Sequence, residues 1–334
     1  MLKPLIYALT AFLLFSAAAD AEPPAYGPEL QGFDYPYPVK AFRLTSQQQR
    51  LQMAYMDVRP ARPNGHAVVL LHGKNFCAAT WGDTMAALAD AGYRVVAVDQ
   101  IGFCKSSKPT EYQYSFQQLA GNTRDLLRQL GIDRAVVIGH STGGMLAVRY
   151  ALMFPQAVDR LVLVSPIGLE DWKAKGVPWH DIDTWRQQER KTTAGSVRKY
   201  QQQTYYVGPW RPDYEKWVEM YAGMFAGPGG GTMAWVSARL YDMIYTQPVV
   251  YEFEQLRMPV LLMIGEKDRT AIGKDFSPPD VQARIGRVAE LARDAVRRMP
   301  HGKLVEFPDL SHALFIEAPG RFQKRLLSEL AAKP

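Results

Sequence analysis

The sequence predicts an α/β protein: a mostly parallel, eight-stranded sheet with helices on both faces and a helical cap inserted into it. Three observations carry the prediction. Short, nearly all-apolar runs alternate with amphipathic stretches, the pattern of parallel strands covered on both faces. The alternation stops after Ser165 and resumes at Pro259, and the interval has helical periodicity of its own. Finally, the β-branched and aliphatic run 135–138 stops at Gly139-His140-Ser141-Thr142-Gly143-Gly144, and helix-forming residues 145–152 follow at once. A glycine-flanked serine between a strand and a helix is a turn that holds the hydroxyl clear of its neighbours.

The elements follow in order. Residues 39–44 and 51–58 alternate polar and apolar side chains around the polar stretch 45–49, which predicts an antiparallel edge hairpin. Residues 67–71 and 94–98 read as buried strands, and residues 85–91 and 115–130 as helices. The serine-bearing strand 136–138 comes next, then a strand at 161–164. After the interval, strands are expected at 259–264 and 303–307, and a last helix at 319–330.

The interval itself contains helical patterns at 184–200 and 214–224. Six of the seven tryptophans lie in it (Trp172, Trp179, Trp185, Trp210, Trp217, Trp235), with Tyr200, Tyr205, Tyr206, Tyr214 and Tyr221. A small subdomain needs most of these for its own core. Some are expected to face the cleft and to favour apolar or aromatic substrate groups. Gly227-Pro228-Gly229-Gly230-Gly231 reads as a mobile segment of that lid.

With 334 residues, 47% of them hydrophobic, the chain can bury a large core. At the N-terminus Lys3 precedes an apolar stretch, residues 5–15, too short to span a bilayer, and Ala19-Asp20-Ala21 completes a cleavage pattern. The expected organisation is a signal peptide at 1–21, a first core part at 22–168, the cap at 169–250 and a second core part at 251–334. The alternative for the first segment is a membrane anchor or a buried helix. Cleavage after Ala21 implies an exported, periplasmic or secreted protein whose mature form does not span the membrane. The net charge is +6, but Lys and Arg are scattered and no nucleic-acid motif accompanies them, so nucleic-acid binding is not expected. Export makes the two cysteines worth pairing. Cys77 and Cys104 follow strands that would be neighbours, so a disulfide at one sheet edge is expected, with two free thiols as the alternative.

A serine hydroxyl is a poor nucleophile until a base takes its proton, and the base needs a third group to hold its tautomer. Ser141 is the candidate nucleophile. Asp268 stands at the end of a strand in Gly265-Glu266-Lys267-Asp268, and His312 follows the last strand in Asp309-Leu310-Ser311-His312. They are the candidate acid and base; Glu266, Glu170 and Asp171 compete for the acid's place. A developing oxyanion needs fixed donors, for which the Thr142 amide and the Lys74 amide are the candidates, with Asn75 as alternative to the latter. His72 and His140 are expected to pack and hydrogen-bond locally. No metal-ligand spacing is visible, and no cofactor is expected.

With these residues in place, the chain resembles a capped member of the α/β-hydrolase superfamily, over roughly residues 39–168 and 255–330. The matching motifs are Leu71-His72-Gly73, Asp99-Gln100-Ile101-Gly102-Phe103-Cys104-Lys105-Ser106, the Ser141 turn and the two segments that carry Asp268 and His312. The layout is similar to epoxide hydrolases and haloalkane dehalogenases, but those use an aspartate where this chain has Ser141. Asn75 also stands where epoxide hydrolases usually carry proline. The stretch 269–302 is longer than is usual between acid and histidine strands. The resemblance implies a serine hydrolase of carboxylesterase type acting on a small-molecule acyl substrate. C–C bond hydrolysis, lactone hydrolysis, proline-type aminopeptidase action and acyl transfer use the same triad, and a small-molecule binding protein of this fold is the non-enzymatic alternative.

Overall fold

The computed structural model describes residues 24–332, so the expected signal peptide lies outside the described residues. Strands β1 (Val39–Ser46) and β2 (Gln49–Val58) form an antiparallel hairpin in which Ser46 pairs with Gln49. The connection is therefore two residues, shorter than the 45–49 turn read from the sequence. Gln47 and Gln48 both take positive φ, 49° and 62°, a two-residue turn whose twist matches that of the strands. Glutamine pairs do not advertise this turn, which is why the polar stretch looked like a longer loop.

The rest of the sheet is parallel. Strand β3 (Ala67–Leu71) leads to α1 (Gly82–Asp90), β4 (Arg94–Val98), α2 (Phe116–Gln129), β5 (Ala135–His140), α3 (Thr142–Met153) and β6 (Val158–Val164). Ser115 begins α2 by accepting a hydrogen bond from the Gln118 amide, 3.1 Å away, which satisfies one free donor of the first turn. With β7 (Val260–Gly265) and β8 (Gly302–Phe307), the eight strands lie in the order β1-β2-β4-β3-β5-β6-β7-β8, and β2 joins β4 antiparallel. Every residue of β5 is buried, as a strand with a helical layer on each side must be. The carboxyl ends of β3, β5, β7 and β8 thus emerge along one edge.

Four helices occupy the interval between β6 and β7: α4 (Ile182–Glu189), α5 (Ala194–Thr204), α6 (Glu215–Ala226) and α7 (Gly230–Thr246). The pattern at 184–200 is two helices rather than one. Thr193 and Ser196 form a capping box that starts α5 afresh, so the polar run in the middle of the pattern is a boundary. Helix α7 was missed because its first residues are glycines. The glycines just before it permit close packing: a β-carbon at Gly227 would lie 1.8 Å from the Tyr26 carbonyl oxygen, and one at Gly229 would lie 2.5 Å from Pro28. The stretch read as a mobile lid segment is instead where residues 26–28 lie against the insertion.

The chain returns through β7 (Val260–Gly265), α8 (Pro279–Arg284), α9 (Val288–Arg298), β8 (Gly302–Phe307), α10 (Leu314–Glu317) and α11 (Pro319–Ala331). Much of the long segment between β7 and β8 is thus helical. Among the described residues no helix is long and apolar enough to cross a membrane.

Candidate active site

Ser141 sits between β5 and α3 with φ 55° and ψ −120°. A serine in this region is strained by about 1–3 kcal/mol, and the surroundings must hold it there. They do so with backbone hydrogen bonds: the Ser141 amide donates to the Val164 carbonyl at 3.1 Å, and the Ser141 carbonyl accepts from the Gly144 amide at 2.9 Å. No side chain larger than hydrogen fits at Gly139 or Gly143. A β-carbon at Gly143 would lie 2.3 Å from the Leu71 carbonyl oxygen, and one at Gly139 would lie 2.1 Å from the Gly143 oxygen.

Asp268 and His312 meet through a 2.8 Å hydrogen bond between Oδ2 and Nδ1, both side chains being inaccessible to solvent. The other carboxylate oxygen accepts from the Thr270 amide at 2.9 Å. The strand ends can come this close because Gly265 faces the loop of His312, where a β-carbon would lie 2.3 Å from the Ser311 carbonyl oxygen. His312 Nε2 is buried and has no hydrogen-bond partner. The rival acids are occupied elsewhere. Glu170 accepts from the Gly286 amide and the Lys175 ammonium, Asp171 accepts from the Lys173 amide, and Glu266 faces Arg293.

His140, next to Ser141, connects the two halves of the site. Its Nε2 lies 3.1 Å from the His312 carbonyl oxygen, which only accepts, so Nε2 carries the proton. The two imidazoles are 4.8 Å apart, and Phe76 and Phe315 close over His140 at similar distances. Burial, reinforced by nearby His312, holds His140 well below the ordinary histidine range. His72 is likewise lowered by burial; its Nδ1 donates to the Gly73 carbonyl at 2.8 Å and its Nε2 accepts from the Gln100 amide. Both therefore pack and bond locally as neutral rings.

The loop after β3 lies directly against the serine. A β-carbon at Gly73 would come within 2.9 Å of Ser141 Cβ, and Lys74 follows with its backbone in that loop. Thr142 opens α3, where helix geometry leaves its amide without an intrahelical partner. The Lys74 side chain runs the other way, into the insertion. Burial lowers the pKa of its ammonium, and Glu189, 3.5 Å away, opposes that shift. Asn75 donates to the Tyr205 hydroxyl at 2.9 Å.

Cys77 and Cys104 form a disulfide with their α-carbons 5.8 Å apart. Asp99 ties the same two loops, accepting from the Ala78 amide at 2.7 Å and the Lys105 amide at 3.1 Å.

A cavity of about 700 Å³ opens between the insertion and residues 269–276, with Trp185, Tyr200, Tyr205, Tyr221, Tyr241 and Phe276 among its walls. Ser141 and His312 are not among the wall residues. Tyr205 stands between, one face stacked on the His312 ring at 5.1 Å. Its carbonyl accepts from the Ala313 amide, and Glu317 accepts from both Val207 and Ser311 amides, so this part of the insertion is fastened to the histidine loop. Burial raises the Glu317 carboxyl while these two amides lower it. None of Tyr205's stacking, Tyr241's place in the wall or Glu317's double contact has a signal in the sequence beyond residue type.

The profile of the α/β-hydrolase fold matches residues 66–319. The chain belongs to the α/β-hydrolase fold family. A crystal structure of a "probable hydrolytic enzyme" from Pseudomonas aeruginosa PAO1 is 60% identical, superposes with a TM-score of 0.92, and the match covers 92% of this chain and 99% of that one. An esterase from Exiguobacterium antarcticum superposes with a TM-score of 0.69 over 88% of this chain and 100% of its own, at 17% identity, a likeness of fold. Among curated relatives, epoxide hydrolase 1 of Caenorhabditis elegans is 36% identical over 96 residues, which is 28% of this chain and 24% of that protein. An uncharacterised protein of Mycobacterium tuberculosis is 42% identical over 106 residues, 32% of this chain and 30% of its own length. The chain thus spans less than a third of these curated relatives. In this α/β-hydrolase, Ser141 stands in the turn between β5 and α3.

Proposed function

We propose that the chain is an exported serine hydrolase that cleaves a carboxylic ester carrying apolar or aromatic groups, by way of an acyl-enzyme. The observation that carries this reading is the buried Asp268–His312 pair, whose Nε2 has no partner, at the sheet edge where Ser141 is held in its strained turn. Because His312 Nδ1 donates to Asp268, the lone pair of the neutral ring lies on Nε2, where a base must present it.

In the reaction, Ser141 Oγ attacks the ester carbonyl and its proton passes to His312 Nε2. The carbonyl electron pair moves to oxygen, which the Thr142 and Lys74 amides receive. Collapse expels the alcohol, which takes the proton from Nε2. Water, deprotonated by His312, then attacks the acyl-serine; the acid leaves and the proton returns to Ser141. Asp268 orients the ring and stabilises its charged form. The protein groups suffice for each proton transfer.

The aromatic walls of the cavity favour apolar or aromatic substrate groups. Export is supported by the pattern of residues 1–21 and by the disulfide, a bond that persists in oxidising compartments. The test is a fluorophosphonate probe followed by peptide mapping. The reading expects a single adduct on Ser141; a folded protein that takes the label elsewhere, or not at all, contradicts it.

A further inference from the structure

We infer that the Lys74 side chain is a positioning residue, which holds the loop beside Ser141 in register by anchoring it in the insertion. The inference rests on the proposed use of the Lys74 amide as an oxyanion donor.

Lysine is seldom buried, because removing an ammonium from water is costly. Here the side chain is 7% exposed. Its Nζ donates to Ser237 Oγ at 2.8 Å, lies 3.5 Å from both Glu189 Oε2 and the Tyr221 hydroxyl, and sits 3.7 Å from the centre of the Tyr241 ring. Ser237 in turn donates to Glu189. Glu189 belongs to α4, Tyr221 to α6, and Ser237 and Tyr241 to α7, so three helices of the insertion converge on one ammonium. The backbone of the same residue lies in the loop that packs on Ser141. The neighbouring Asn75 side chain also reaches the insertion, at Tyr205.

A brace alone does not require a charge. An unbranched apolar side chain of similar length would fill the space, and buried ion pairs are often no more stabilising than such replacements. What the ammonium adds is direction: several partners fix its place, and through the side chain the place of the loop. Direction matters here because an oxyanion donor acts only within about 2.7–3.1 Å of the developing charge. Glu189, Tyr221 and Tyr241 also line the cavity, so three of the anchor's four partners face the space proposed for substrate.

The experiment is Lys74→Met in the mature chain, which keeps the backbone amide. With p-nitrophenyl acetate, kcat is expected to fall about tenfold to a hundredfold while KM changes less than about threefold. The Ki of a trifluoromethyl ketone, which mimics the tetrahedral species, is expected to rise by the factor by which kcat/KM falls. If Lys74→Met does not fold, Glu189→Gln and Ser237→Ala serve instead, with smaller losses of kcat in the same direction. A lower melting temperature with unchanged kcat and unchanged Ki would overturn the inference, leaving a cap brace. Turnover by wild type that survives Ser141→Ala would overturn the hydrolase reading itself, an outcome visible before Lys74 is touched.

Discussion

Asp268 and His312 form a pair fully removed from solvent, joined at 2.8 Å, with the second carboxylate oxygen held by the Thr270 amide. Asp268→Asn keeps the shape of this contact but favours the wrong tautomer, since the amide can donate to Nδ1 and push the ring proton to Nε2. In the serine-protease triad such a change costs about 10⁴-fold in kcat. A loss of that order is expected here, with the fold unchanged by circular dichroism. Asn at 268 with near-normal turnover would remove the aspartate from the mechanism.

The buried neutral histidines give stability a pH dependence of definite sign. Burial lowers His72 and His140, so the folded state leaves them unprotonated where unfolded histidines, near 6.5, take up protons. The unfolded state then binds more protons, and stability falls as pH drops through about 6.5; above that range their contribution is constant. Urea midpoints between pH 8 and 5 should show this slope. His140→Asn, which retains a donor for the His312 carbonyl, should reduce the slope and leave the share of His72.

The disulfide closes a loop with a sequence separation of 27. On chain-entropy grounds its loss costs about 3–4 kcal/mol. Cys77→Ser with Cys104→Ser should lower the unfolding free energy by that order, read from denaturant curves. Asp99 continues to bind both loops, so folding to the same secondary structure is expected at low temperature.

Tyr205 separates the cavity from the imidazole on which it stacks. Tyr205→Ala removes a wall of His312 and should lower kcat about tenfold, while Tyr205→Phe, which gives up only the hydroxyl's contacts with Asn75 and Tyr200, should lose less. Steady-state kinetics on one ester series checks the order of the two.

The sheet is legible because its central strands are nearly all apolar, its edge hairpin alternates and its helices are amphipathic: the reading matches 94–98 to the residue, and β7 and β8 to within one position. The insertion was less legible. Two of its four α-helices begin after Thr193 and at a run of glycines, and a helix that starts on glycine looks like a loop until the packing of Tyr26 and Pro28 is seen. For the site, the order of serine, acid and histidine along the chain led to residues that the fold brings to one edge. Lys74 was legible only as a backbone. Nothing in its sequence neighbourhood announces a buried ammonium, because the four groups that receive it are distributed over three distant helices.

The most direct test of the account is hydrolysis of p-nitrophenyl esters from acetate to laurate by the protein beside its Ser141→Ala variant. The account predicts turnover that disappears in the variant while the fold, by circular dichroism, does not change. Ester hydrolysis that persists without the Ser141 hydroxyl, or a folded wild type that cleaves no ester in the series, would contradict it.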